Sequence, residues 1–291
     1  MPSIRLIWVA LVAVITMSAV PVLVKSSAAN ELTIGIARLA LALLVISPVM
    51  IWRKQFSSLT KKDYAGLFAI GLVFAVHWLT YFASIKLATA VIASMAMATY
   101  SVQFLLLAWW VNKEPIRPLE LFAILMSFAG CVVVTPSFSL SNDVTLGIAI
   151  GVFSGFLYGC LPLLHQRVQH MNTLQRTWGQ FSFALLCYIP LIGWSDWNLP
   201  STDWSKLVML GLLCTVISHG LWVKASTELP AVFTGIIYYL YVPSAMLSSA
   251  YFLEEEITIQ KMIGASLIIL SSCFVVYYRW QLNRKTLKNY D

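Results

Sequence analysis

Ten long, nearly uncharged apolar runs, separated by short polar breaks, leave this chain few ways to fold. They lie near residues 4–24, 32–52, 64–85, 88–111, 118–136, 145–165, 174–194, 204–223, 230–252 and 259–280. Each is close to the roughly 20 apolar residues that an α-helix needs to cross the hydrocarbon core of a bilayer. The runs are too long and too evenly apolar for the alternating strands of a membrane barrel, and backbone groups in lipid must be bonded within their own segment. The expected fold class is therefore an all-α membrane protein of ten transmembrane helices. With 59% hydrophobic and only 11% charged residues in 291 positions, no room is left for an extramembrane domain. The first run is longer than the apolar region of a cleaved signal and has a counterpart in the second half, so it is read as a retained helix.

The net charge of +7 does not point to nucleic acid, because the basic residues sit singly or in pairs between apolar runs and form no stripe. Their distribution reads as a topology signal. With the N-terminus on the cytoplasmic side, fourteen lysines and arginines fall in inner loops and tails, against Lys25, Lys86, Lys206 and Lys261 outside. Both termini are thus expected in the cytoplasm. Trp8, Trp52, Trp109, Trp110, Trp194, Trp197, Trp204 and Trp280 stand near run ends, where interfacial aromatic belts form. Cys131, Cys160, Cys187, Cys214 and Cys273 all fall inside apolar runs, without the spacing or nearby histidines of a metal or redox site, and are read as buried thiols. No metal, cofactor or catalytic residue is expected. A Walker loop, an HExxH, an Asp-rich metal motif and a nucleophile with a base partner are all missing, which argues against a membrane-embedded enzyme.

Sliding the chain against itself by 141 residues pairs Pro21 with Pro162, Ala90 with Ala231, Tyr100 with Tyr241, Glu114 with Glu255 and Ile116 with Ile257. The paired residues occupy the same places in their runs. Two units of five helices follow, 1–138 and 139–291, the second ending in a short basic tail. Five is odd, so the units would enter the membrane from opposite sides. Inverted repeats of this kind carry a pseudo-two-fold axis in the membrane plane, and exchanging the conformations of the two halves moves an opening from one face to the other.

Three stretches resemble the drug/metabolite transporter superfamily, in particular its EamA-type branch of ten-helix carriers. They are Arg38-Leu39-Ala40-Leu41-Ala42-Leu43-Leu44, Glu114-Pro115-Ile116, and Glu255-Glu256-Ile257-Thr258-Ile259 followed by Gly264-Ala265. The first half departs from the pattern at Ala123, with Gly130 seven residues on. The resemblance covers essentially the whole chain. It implies a multi-pass carrier in a bacterial inner membrane, often an exporter, with a central cavity shared by both halves and a small-molecule substrate that it does not name.

Polar and aromatic side chains inside the runs are the candidate substrate-binding residues, since such groups tend to face a bundle interior or an aqueous cavity. His77 shares a helical face with Tyr81 and Ser84, and His219 shares one with Trp222 and Ser226. In the ninth run Thr234, Tyr238 and Tyr241 line up, and their repeat mates are Ala93, Met97 and Tyr100, with Gln103 continuing the face of Tyr100. Gly147, Gly151, Gly155 and Gly159 make a bare face in the sixth run, beside Tyr158 and Pro162. The histidine and tyrosine sets have a second reading as interhelical packing or hydrogen bonding, whereas for the glycine face packing is the favoured reading and a cavity border the second. Arg38 either meets an anionic group such as a carboxylate or snorkels and bridges helices. Glu114, Glu228 and Glu255 stand at helix ends and suit capping.

The favoured reading is a secondary carrier exporting an amino acid or a related amphipathic metabolite, with protons as candidate coupling ion through His77 or His219. Uptake of a nucleotide-like or S-adenosyl compound, and channel function, stand as alternatives. Monomer and homodimer are both left open.

Overall fold

The computed structural model describes residues 4–113, 117–134, 142–229 and 237–288, and among these the regular structure is entirely helical. Six helical stretches are long and apolar enough to cross a membrane: Ile4–Ser26, Glu31–Trp52, Lys61–Leu87, Ala90–Val111, Asp143–Arg167 and Ser201–Ala225. Leu121–Val133 and Ile259–Ser271 are shorter apolar stretches. Thr173–Tyr188 and Tyr241–Leu253 are further helices, overlapping the seventh and ninth apolar runs. Glu114-Pro115-Ile116, Thr234 and the start of the ninth run lie outside the described residues.

Side chains set the helix starts. Asn30 accepts from the Thr33 N–H to open α3 (Glu31–Trp52), and Thr60 and Asp63 form a reciprocal capping box at the start of α4 (Lys61–Leu87). Asn142 caps α8 (Asp143–Arg167), and Asn172 with Gln175 boxes α9 (Thr173–Tyr188). Three expected spans are interrupted. The first divides into α1 (Ile4–Met17) and α2 (Val20–Ser26), where Pro21 lacks the N–H that would continue the ladder. The fourth divides at Thr99 into α5 (Ala90–Ala98) and α6 (Tyr100–Asn112). The eighth contains a wide π turn, Leu212–Ile217, between α10 (Ser201–Gly211) and α11 (Ser218–Glu228). Pro162, the repeat mate of Pro21, lies inside an unbroken α8. The remaining helices are α7 (Pro118–Val133), α12 (Tyr241–Leu253) and α13 (Ile259–Lys288).

Glycines bring these helices close. A Cβ on Gly147 would meet Ala88 at 2.8 Å, and one on Gly151 would meet the Ser84 hydroxyl at 2.6 Å, so the bare face of α8 is a packing face against α4 and α5. Ser84 donates to the Gly147 carbonyl at 2.7 Å and is spent on that contact. Gly130 of α7 and Gly264 of α13 abut: a Cβ on either would stand 2.7 Å from the other's carbonyl oxygen. Trp8, Trp52, Trp109, Trp110 and Trp194 are exposed, as interfacial anchors should be. Of the cysteines, Cys131 and Cys214 are buried, whereas Cys160, Cys187 and Cys273 are only half-buried, because their helices turn one side to the outer surface of the bundle.

The two ends of the bundle differ. At one end Lys25 Nζ donates to the carbonyls of Lys86 and Ala88 at 2.8 and 2.6 Å, and Lys86 donates to Ser27 O. Asp203 accepts from the Ala28 N–H at 2.6 Å and pairs with Lys206 at 2.7 Å, while Lys206 also reaches Ser26 O. Glu255 accepts from the N–H groups of Ala90 and Val91, capping α5 from the α12–α13 connection. Three of the four lysines assigned to the outer side thus meet in one network. At the opposite end Asp63 meets His170 at 2.7 Å, and Gln175 bonds Gln55 O and Ser58.

Candidate functional site

A cavity of about 30 Å³ lies in the middle of the bundle. Met17 and Val20 border it at the break between α1 and α2, and α3 contributes Arg38. From α4 come His77, Trp78, Tyr81 and Phe82, while Met97, Tyr158, Cys214, His219, Tyr238 and Tyr241 complete the wall. That is room for about two water molecules and for no metabolite-sized ligand. The lysine network and the Asp63–His170 contact stand toward opposite ends of the bundle.

Arg38 is 2% exposed. Its Nε donates to Thr215 Oγ1 at 3.0 Å, and its guanidinium carbon lies 4.0 Å from the Trp78 ring centroid and 5.3 Å from that of Phe82. Nη1 has no hydrogen-bond partner. The π turn supplies the acceptor: Thr215 and Ser218 donate their own hydroxyl protons to carbonyls five residues back, Leu210 and Leu213, leaving the Thr215 oxygen free to accept.

His77 joins α4 to α8. Ser154 Oγ donates to the His77 carbonyl at 2.9 Å, so the 2.8 Å contact from His77 Nδ1 to the same oxygen is donated by the imidazole. That tautomer leaves Nε2 as the acceptor of the ring. His77 stacks parallel to Tyr81, at 6.1 Å and 7°, and the hydroxyls of Tyr81 and Tyr241 are hydrogen-bonded to each other across the halves. His219 lies among Phe74, Trp78 and Phe181, with Gln180 Nε2 at 3.5 Å, and Gln180 Oε1 in turn meets His165 at 2.9 Å.

A second wall is aromatic. Tyr238 has Tyr100 edge-on at 4.7 Å, Trp222 at 5.1 Å and Tyr241 stacked at 5.6 Å, and Tyr158 meets Tyr100 at 5.0 Å. The structure thus brings together Arg38, His77, Tyr81, Tyr158, His219, Tyr238 and Tyr241 on the cavity, with Tyr100 and Trp222 packed directly behind. Gln103 is not with them. Its amide donates to Thr99 and to Val152 O, and it borders a separate apolar groove of about 500 Å³ beside Trp109, Trp110, Phe153 and Phe156. Ser84 is likewise turned away, toward α8. Trp78, Phe82, Cys214 and Thr215 are wall and support residues that the sequence reading passed over. The one available signal was Arg38 itself, a charge within an apolar run, which demands partners from whichever helix faces it.

The pattern of the EamA-like transporter family fits this chain at residues 4–135 and again at 145–277. A protein of Bacillus subtilis (strain 168) named "Uncharacterized transporter YetK" is 24% identical over 259 residues, covering 82% of this chain and 76% of its own length. An "Uncharacterized transporter" of Archaeoglobus fulgidus is 24% identical over 240 residues, covering 78% of this chain and 82% of its own. A solved crystal structure with 16% identity shares the fold, with a TM-score of 0.65 over 96% of this chain and 98% of its own.

Proposed function

The chain belongs to the EamA-like transporter family, and on that footing we propose a secondary carrier that moves a small polar or amphipathic metabolite out across the cytoplasmic membrane by alternating access. An amino acid or a related compound is the favoured cargo. The observation that carries this reading is the central cavity, where polar tips and aromatic faces from both halves of the chain converge.

The helix pairings support an inverted repeat. α4 packs on α8, and its mirror is the contact of α1 with the π turn and α11. α3 packs on α9 and α7 on α13, each helix against its own repeat mate, as helices beside a dyad would. Protons are the favoured coupling ion, because His77 and His219 stand on the cavity and His219 continues through Gln180 toward His165.

The test compares metabolites retained by cells lacking and overproducing the protein, followed by flux of the identified compound into proteoliposomes. His77→Ala should cut that flux at least tenfold with the protein still in the membrane. Unchanged flux removes His77 from the site, and indifference to an imposed pH gradient removes the protons.

A further inference from the structure

Arg38 is a buried cation without an anion. Among the described residues no carboxylate lines the cavity, and all ten described acidic residues stand in loops or within a turn of a helix end. Trp78 covers one face of the guanidinium and Thr215 takes Nε, but Nη1 is left unpartnered on a residue only 2% exposed to solvent. A guanidinium keeps its charge, and an ion held in a low-dielectric site is stabilised by a counterion that also fills its open donors. We propose that the cargo presents a single carboxylate to this cavity and that Arg38 is the group that receives it.

This deepens the carrier reading and rests on it. The rest of the wall agrees in chemistry. The Tyr81 and Tyr241 hydroxyls, bonded to each other in this structure, can turn to donate to a carboxylate oxygen when the cavity widens. Tyr100, Tyr158, Tyr238 and Trp222 offer flat apolar faces for the body of the molecule. One cation balances one negative charge, so dicarboxylates and phosphate esters carry a surplus, and a cationic drug meets repulsion from Arg38.

The test uses the purified full-length chain and matched compounds: aromatic and aliphatic monocarboxylates of three to ten carbons, α-amino acids among them, each with its primary amide, and phenylsuccinate as a dicarboxylate. Thermal stability is read against concentration. At least one monocarboxylate should raise Tm while its amide and phenylsuccinate do so at least tenfold more weakly. Arg38→Gln should abolish the preference, and Arg38→Lys, which keeps charge but loses the fork, should retain part of it. The contrast between acid and amide is read on the unmodified chain, so it decides the matter even where R38Q does not accumulate. Equal responses to acid and amide, or an R38Q protein that keeps the preference, overturn the proposal and leave Arg38 a structural staple, with the carrier reading intact. Silence from every monocarboxylate overturns it as well. The carrier reading itself falls only if retained metabolites are also unchanged.

Discussion

The hydroxyls of Tyr81 and Tyr241 meet in a place where neither has bulk water to fall back on. Removing one partner of a buried pair costs more than removing both, because the survivor keeps its desolvation penalty. Tyr81→Phe and Tyr241→Phe should each lower stability by about 1–2 kcal/mol. The double variant should lose clearly less than the two losses added, and strict additivity in the melting curves would mean that the hydroxyls do not interact. This pair was half legible in the sequence. Tyr81 follows from its spacing to His77, and Tyr241 from its match to Tyr100. Their contact was not legible, because pairing across the halves depends on how helices cross. Trp78 shows the same limit from the other side: it lies off the His77–Tyr81 face, yet it also borders the cavity, because α4 is enclosed by neighbours and presents more than one face inward. Gln103 errs in the opposite sense. It shares α6 with Tyr100, but its amide is held by Thr99 Oγ1 and Val152 O, on the side of the outer groove.

At the scale of elements, helix existence was written plainly in hydropathy, and the irregular turns were not. Leu212–Ile217 is an unremarkable apolar hexamer whose backbone winds as a π turn, with the Thr215 and Ser218 hydroxyls bonded to carbonyls five residues back. Thr215→Val keeps the shape and deletes both the acceptor for Arg38 and the bond to Leu210 O. It should cost about 1.5–3 kcal/mol, the range for a hydrogen bond to a charged group, read as a fall in Tm. A fall no larger than for a surface change would mean that Arg38 does not lean on the turn. Close approach was better signalled, since Gly264 stood in a stretch that carries the family resemblance and it packs against the Gly130 carbonyl. Gly264→Ala should push α13 from α7 and destabilise by about 1–3 kcal/mol. Gly220→Ala, with nothing within 4 Å of the added carbon, should be neutral or stabilising by up to about 1 kcal/mol. If both substitutions behave alike, the α7–α13 contact is not tight.

For the molecule as a whole, the two ends raise the question of which bonds must break for the cavity to open. The lysine end ties the α2–α3, α4–α5 and α12–α13 connections to the start of α10, and Asp203 is its hub, holding the Ala28 N–H and the Lys206 ammonium at once. Its loss removes the charge-assisted bond to the Ala28 N–H, worth about 1.5–3 kcal/mol, from the state in which the α2–α3 connection meets α10, while the i,i+3 pair with Lys206 lies within α10 and favours neither state. A shift of about 1.4 kcal/mol changes a two-state population tenfold, so Asp203→Ala should raise the opened fraction at least that much. Cys214 offers a native reporter, because it lies on the cavity wall and is fully buried in this structure. In a chain with Cys131, Cys160, Cys187 and Cys273 replaced by Ala, a membrane-impermeant thiol reagent added on the lysine side should label Cys214 at least tenfold faster once Asp203 is changed. Asp63→Ala, at the other end, loosens the contact to His170 and should leave that rate unchanged. Equal labelling in both variants would mean that the two networks serve the scaffold and not the gate. The alternating access proposed above would then lose the lysine end as its gate.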